Sequence, residues 1–135
     1  MSQTLCPYLS FGTNTAEAMT FYQSVFGGVM MSNTFGEFGT EGPDGALVMH
    51  AQLETDAGFT LMGADTPSFM ERKPQGGFVV SLSGDEAEAL KGYWEKLSDG
   101  ATVTTPLEKQ MWGDEYGSLT DKFGVEWLIN VASSS

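Results

Sequence analysis

Met111-Trp112-Gly113-Asp114-Glu115-Tyr116-Gly117-Ser118-Leu119-Thr120-Asp121-Lys122-Phe123-Gly124-Val125-Glu126-Trp127-Leu128-Ile129-Asn130 reads as a hairpin. Tyr116 to Thr120 is a short extended run, and Asp121-Lys122-Phe123-Gly124 supplies the turn, its glycine free to take a positive φ. Val125 to Val131 returns as a strand, with Val125, Trp127, Ile129 and Val131 on one face and Glu126, Leu128 and Asn130 on the other. Trp112-Gly113-Asp114 places an aromatic, a flexible joint and an acid at the strand margin. Two readings stand for this stretch: the wall of a small-molecule pocket, or a closing hairpin whose aromatics only fill a core.

Upstream, the same alternation recurs. Leu5 to Phe11 sends Leu5, Pro7, Leu9 and Phe11 one way and Cys6, Tyr8 and Ser10 the other. Asn14 with Glu17 reads as a capping box opening a helix. Ala18, Phe21, Tyr22 and Val25 recur at helical spacing until Gly27-Gly28 stops it. Val29 to Phe35 is a strand, Gly36 to Gly45 a mobile glycine-rich loop, and Ala46 to Glu54 a further strand. In that strand Leu47, Met49, Ala51 and Leu53 oppose Val48, His50, Gln52 and Glu54. A turn at Asp56-Ala57-Gly58 leads into Phe59 to Ala64, and Asp65 to Gln75, with two prolines, reads as a linker. Gly77 to Ser83 opens the second half as a strand. Ser83 and Glu86 read as a capping box ahead of the stripe Ala87, Leu90, Tyr93, Trp94 and Leu97. Ala101 to Thr105 is a strand that Pro106 ends.

The halves repeat each other. Leu9 to Met19 lies over Val80 to Leu90 without a gap, Tyr22 falls on Tyr93, and Phe26 on Leu97. Phe35-Gly36-Glu37 answers Trp112-Gly113-Asp114. Each half reads strand, helix, strand, strand, strand. A unit of this kind leaves one sheet face uncovered, so two are expected to pair.

Composition narrows the function. At 135 residues the chain is long enough for a core without disulfides, and its one cysteine, Cys6, makes a reducing cytoplasm the default. No apolar run approaches the ~20 residues that span a bilayer, and the N-terminus lacks the pattern of a signal peptide. A formal charge of -12 repels phosphate backbones and anionic lipid heads, so neither a nucleic acid nor a membrane is an expected partner.

The β-α-β-β-β duplication resembles the vicinal oxygen chelate superfamily of glyoxalase I, bleomycin-resistance proteins and extradiol dioxygenases. Pro7-Tyr8-Leu9-Ser10-Phe11, Val48-Met49-His50-Ala51, Trp112-Gly113-Asp114 and the run from Asp121 to Asn130 are similar to the PhnB-like subfamily. The resemblance implies an α+β fold of two βαβββ modules, about residues 4–65 and 76–131, related by a pseudo-twofold axis and forming curved half-barrels. It further implies a hollow that holds a small ligand, commonly with a divalent metal, and a homodimer. Members often carry a ubiquinone-methyltransferase label. No glycine-rich strand-to-helix turn of the dinucleotide type appears here, so that activity is not expected.

The superfamily's metal ligands, usually His, Gln and Glu, come from the first and last strands of each half. Here those places fall on Cys6 or Pro7, near Gly77, and on Leu128, with Thr60, Met62 and Ala64 on strand four. That is no hard-metal ligand set, and no bound cofactor is expected. His50, the only histidine, shares a face with Gln52 and Glu54; it is either a general base or ligand-orienting donor, or a structural histidine. Cys6 could pair with His50 as a nucleophile or be a small buried apolar group. The expected ligand-binding set is Tyr8, His50, Gln52 and Trp112, with Gly36 to Gly45 as a lid. The expected function is metal-independent binding of a small molecule. The alternative is a metal-dependent enzyme of the glyoxalase or dioxygenase type, with its metal held around His50.

Overall fold

The computed structural model describes residues 3–71 and 77–133; residues 72–75 of the expected linker, residue 76, and the last two of the serine tail lie outside the described residues. The chain divides into two compact units, residues 1–75 and 76–135. Each contains the expected strand, helix and three strands.

In the first unit, β1 (Tyr8–Ser10), α1 (Thr15–Phe26), β2 (Val29–Thr34), β3 (Val48–Glu54) and β4 (Thr60–Ala64) build a sheet ordered β1-β4-β3-β2. β1 runs parallel to β4, and the other pairs are antiparallel. Leu9, Phe11, Ala51, Leu53 and Leu61 from the sheet are buried with Ala18, Met19, Tyr22, Val25 and Phe26 of α1. One sheet face is therefore apolar and helix-covered, and the other carries the polar half of each strand.

In the second unit, β5 (Val80–Gly84), α2 (Ala87–Leu97), β6 (Thr102–Lys109), β7 (Glu115–Thr120) and β8 (Glu126–Val131) repeat the topology as β5-β8-β7-β6. Val125, Trp127, Ile129 and Val131 are buried, as the alternation predicts, together with Leu82, Leu90, Leu97 and Leu119. Met19 and Phe26 of α1 and Leu90 and Leu97 of α2 are all buried. These are matched positions in the gap-free register of the repeat. Trp94 packs close over β7: a Cβ on Gly117 would lie 2.8 Å from its Cη2 and 2.8 Å from the Leu107 Cα.

A second mark of duplication lies in the turns. Thr55 N–H donates to the Phe59 carbonyl (2.8 Å) and Gly58 N–H to the Thr55 carbonyl (3.0 Å). Asp121 N–H donates to the Val125 carbonyl (2.8 Å) and Gly124 N–H to the Asp121 carbonyl (2.9 Å). In each turn the first side chain also accepts the last N–H: Thr55 Oγ1 from Phe59 (2.9 Å) and Asp121 Oδ1 from Val125 (3.1 Å). Gly58 and Gly124 hold φ of 93° and 88°, which a side chain would strain.

Several sequence expectations are corrected. The Asn14–Glu17 capping box does not form, and Asn14 makes no side-chain cap bond. Asp65, read from sequence as the first linker residue, is buried and takes over, accepting from Thr15 N–H (2.9 Å) and Val48 N–H (2.9 Å). Ser83 does not cap α2 either; it lies in β5 opposite Asn130, and the helix starts from Glu86 without a side-chain cap. The first strand is confined to Tyr8–Ser10, with Leu5 fully exposed. Val48 does not share the face of His50. Asn33 pairs with His50 and Thr34 with Val48, so a bulge at Met49 turns Val48 toward the buried side. Pro106 does not end its strand. β6 is an edge strand with irregular register around Pro106, where a missing N–H costs no ladder bond.

Residues 36–45 form a folded loop rather than an open one. Gly36–Phe38 and Pro43–Ala46 are single 3₁₀ turns, and Thr34 and Glu37 form a reciprocal capping pair between side chains and N–H groups. Cβ atoms on Gly36 and Gly45 would fall 2.8 Å from the Gly45 carbonyl and 2.7 Å from that of Thr40. The loop is thus packed against itself. Asp44 ties it to Ser68, accepting from its N–H (3.2 Å) and its hydroxyl (2.6 Å).

Candidate functional site

The face of the first sheet turned away from α1 brings three of the four expected residues together. Tyr8 on β1 pairs with Met62 on β4, and Met62 pairs with Gln52 on β3, so their side chains share one row across the sheet. His50 stands two residues from Gln52 on the same face. The Tyr8 hydroxyl lies 3.0 Å from His50 Nδ1, and the two rings are tilted with centroids 5.7 Å apart. His50 Nε2 lies 3.4 Å from Gln52 Oε1, and Gln52 Nε2 lies 3.5 Å from Glu54 Oε1.

One assignment of hydrogens satisfies the whole row. Tyr8 donates to Nδ1, the imidazole donates from Nε2 to the Gln52 carbonyl oxygen, and the Gln52 amide donates to Glu54. Loss of water around the phenol raises the Tyr8 pKa, which keeps it a donor at neutral pH. Tyr8 remains 52% exposed and His50 and Gln52 half-buried, so the row is open to a ligand. Glu54, which closes it, lies on the face where the two-residue period places it with His50 and Gln52, though it was not among the expected ligand-binding residues.

Trp112 belongs to the second unit, at the turn between β6 and β7. It is 61% exposed and meets Tyr116 edge-to-face, with centroids 6.3 Å apart. Asp114 beside it accepts from Asn130 Nδ2 (3.0 Å) and Ser133 N–H (2.9 Å), and these two bonds hold its pKa below the ordinary carboxylate value. Trp127 is core: it is buried, and its indole N–H donates to Asp121 Oδ2 at 2.8 Å.

Among the described residues no three His, Cys, Asp or Glu side chains gather to hold an ion. Around His50 the neighbours are a phenol and an amide. Leu128 stands opposite Ser81 and Ser118. Cys6 lies outside β1 and is half-buried. No helix among the described residues is long and apolar enough to cross a membrane.

Comparison with known proteins agrees with this architecture. Residues 3–130 match the family described as 3-demethylubiquinone-9 3-methyltransferase. Protein PA1353 of Pseudomonas aeruginosa is 29% identical and superposes with a TM-score of 0.86, over 98% of this chain and 100% of that one. A PhnB protein of Bacillus cereus is 23% identical with a TM-score of 0.71, over 96% and 100% of the two chains. A glyoxalase/bleomycin resistance protein/dioxygenase family enzyme of Burkholderia phytofirmans shares the fold at 18% identity and a TM-score of 0.58, over 92% and 95%.

Proposed function

The chain belongs to the PhnB-like family, within the glyoxalase/bleomycin resistance/dioxygenase superfamily, and on that premise we propose that it binds a small organic molecule without a metal. The site is the open face of the first sheet, with Tyr8, His50 and Gln52 making the directional contacts. The observation that carries this reading is the bonded row from Tyr8 through His50 to Gln52 on a sheet face that no helix of its unit covers. A row whose donors and acceptors already satisfy one another is preorganised, so a ligand meets groups in fixed orientations and little rotamer entropy is lost on binding. The folded loop 36–45, in the same unit, is the proposed lid. The uncompensated negative charge of the chain favours a neutral or cationic molecule over a polyanion.

A thermal-shift screen of metabolites identifies the ligand, and calorimetry on the His50→Ala and Gln52→Ala variants then locates it. Gln52→Ala removes an amide that can bond the ligand and His50→Ala removes the ring that holds the Tyr8 hydroxyl and the Gln52 amide in place, and each is expected to weaken binding about 5- to 150-fold. Unchanged affinity in both variants refutes the site. Divalent metal ions added in the same calorimeter are expected to give no stoichiometric heat, and one tight ion per chain would favour the metal-dependent enzyme instead. The proposed homodimer is checked by sedimentation equilibrium at micromolar concentration.

A further inference from the structure

The second unit carries a cluster that this reading does not use. β7 pairs with β8 residue by residue and with β6 at Glu108 and Lys109, which places Tyr116 beside Glu108 on one side and Asn130 on the other, all on the face turned away from α2. Trp112 leans edge-on against Tyr116. Asn130 reaches from that same face to hold Asp114, whose second oxygen is held by the Ser133 N–H. The turn carrying these groups is itself fixed, by Gln110 N–H to the Asp114 carbonyl (2.7 Å) and Gly113 N–H to the Gln110 carbonyl (3.0 Å).

The charges around this cluster are segregated. Lys109 pairs with Glu115, and Lys91 of α2 bridges to Glu115 at 2.9 Å, so both cations fall on the opposite face of the sheet. The open face keeps Asp114 and Glu108 with no lysine opposite them in the register. An ionised carboxylate two residues from each of two aromatic side chains, one of them largely exposed, and held by the residue that pairs with Tyr116, is the chemistry that attracts a bulky, weakly hydrated cation: the ring faces supply quadrupole attraction and the acid supplies net charge. A hydrated metal ion gains little there, because the aromatic rings offer it no ligands.

We propose that Trp112, Tyr116 and Asp114 form a recognition site for an organic ammonium group, with Asn130 as the residue that positions the Asp114 carboxylate. This site lies in the second unit, and the Tyr8–His50–Gln52 row in the first.

Tetramethylammonium chloride is the probe, titrated into the full-length ¹⁵N-labelled protein while the Trp112 indole N–H and the Asn130 side-chain amide are followed by NMR. Both signals are expected to shift along one saturable curve. Trp112→Ala removes the saturation. Asp114→Asn weakens it about 3- to 10-fold, while circular dichroism shows both variants folded. Neopentyl alcohol, an uncharged molecule of similar shape, is expected to leave the signals in place. His50→Ala is expected to bind tetramethylammonium as the wild type does, so failure of the first-unit site and failure of this one are distinguishable. Equal binding of the alcohol and the cation overturns the proposal, as does an unchanged curve in Trp112→Ala or the absence of any saturable shift.

Discussion

Replacing Asp121 tests how the decisive hairpin is held. Its carboxylate is buried and accepts three N–H groups: Phe123 (2.8 Å) and Val125 (3.1 Å) on one oxygen, the Trp127 indole (2.8 Å) on the other. Val125 and Trp127 are themselves buried, so water cannot replace the lost acceptor at either. Each buried donor left unpaired costs about 1–3 kcal/mol, and the partly open Phe123 N–H costs less. Asp121→Ala is therefore expected to lose about 3–5 kcal/mol, a fall in Tm of roughly 10–20 °C for a domain of this size. Asp121→Asn is milder, about 1–3 kcal/mol, because one oxygen survives for the backbone while the new amide faces the indole donor to donor. Urea unfolding followed by circular dichroism and by tryptophan emission gives both values. A cycle with Trp127→Phe isolates the side-chain pair, with an expected coupling of about 1–2 kcal/mol. An Asp121→Asn variant within about 0.5 kcal/mol of wild type, or a coupling near zero, would refute the reasoning.

Asp65→Ala is expected to cost about 2–4 kcal/mol by orphaning the Thr15 and Val48 N–H groups, and hydrogen exchange should show both amides losing protection before the rest of α1 and β3. Gly117→Ala should destabilise by about 1–3 kcal/mol in thermal melts, since its new methyl meets the β6 backbone at Leu107 as well as the Trp94 ring. Asp114 has a folded pKa below its unfolded value, so the clasp on Asn130 and Ser133 is in place above the ordinary carboxylate range and is lost as pH falls through the depressed value. The Ser133 amide resonance is expected to hold its shift at pH 5 and move only in stronger acid; movement centred at the ordinary carboxylate pKa would count against the clasp.

How much of this was legible in the sequence depends on the range of the interaction. Period-two alternation located β8 to within one residue at its start and assigned its buried face correctly, because Val125, Trp127, Ile129 and Val131 face one core and no bulge interrupts them. The same rule misplaced Val48, since a single bulge at Met49 reverses parity and leaves no mark in composition. Local capping patterns failed at both helices. At α1 the N–H was satisfied from fifty residues away by Asp65, a contact that no window around Asn14 contains. The match between the turns at Thr55 and Asp121 went unseen because a hydroxyl and a carboxylate perform the same acceptance, and residue identity hides what the bond pattern shows. Tyr8, His50 and Gln52 come together because, as alternation predicts, they lie on one polar face. Tyr116 was not singled out because a strand aromatic looks the same in a core as on an open face, and its contact with Trp112 separates the two cases. The two units repeat the backbone bonding of sheet, helix and turn, yet their open faces differ: a phenol–imidazole–amide row in one, an aromatic pair beside a held carboxylate in the other. Duplication conserves what the ladder and the core require. The outward side chains are bound by neither, and it is there that a ligand chemistry can be written twice, differently, on one frame.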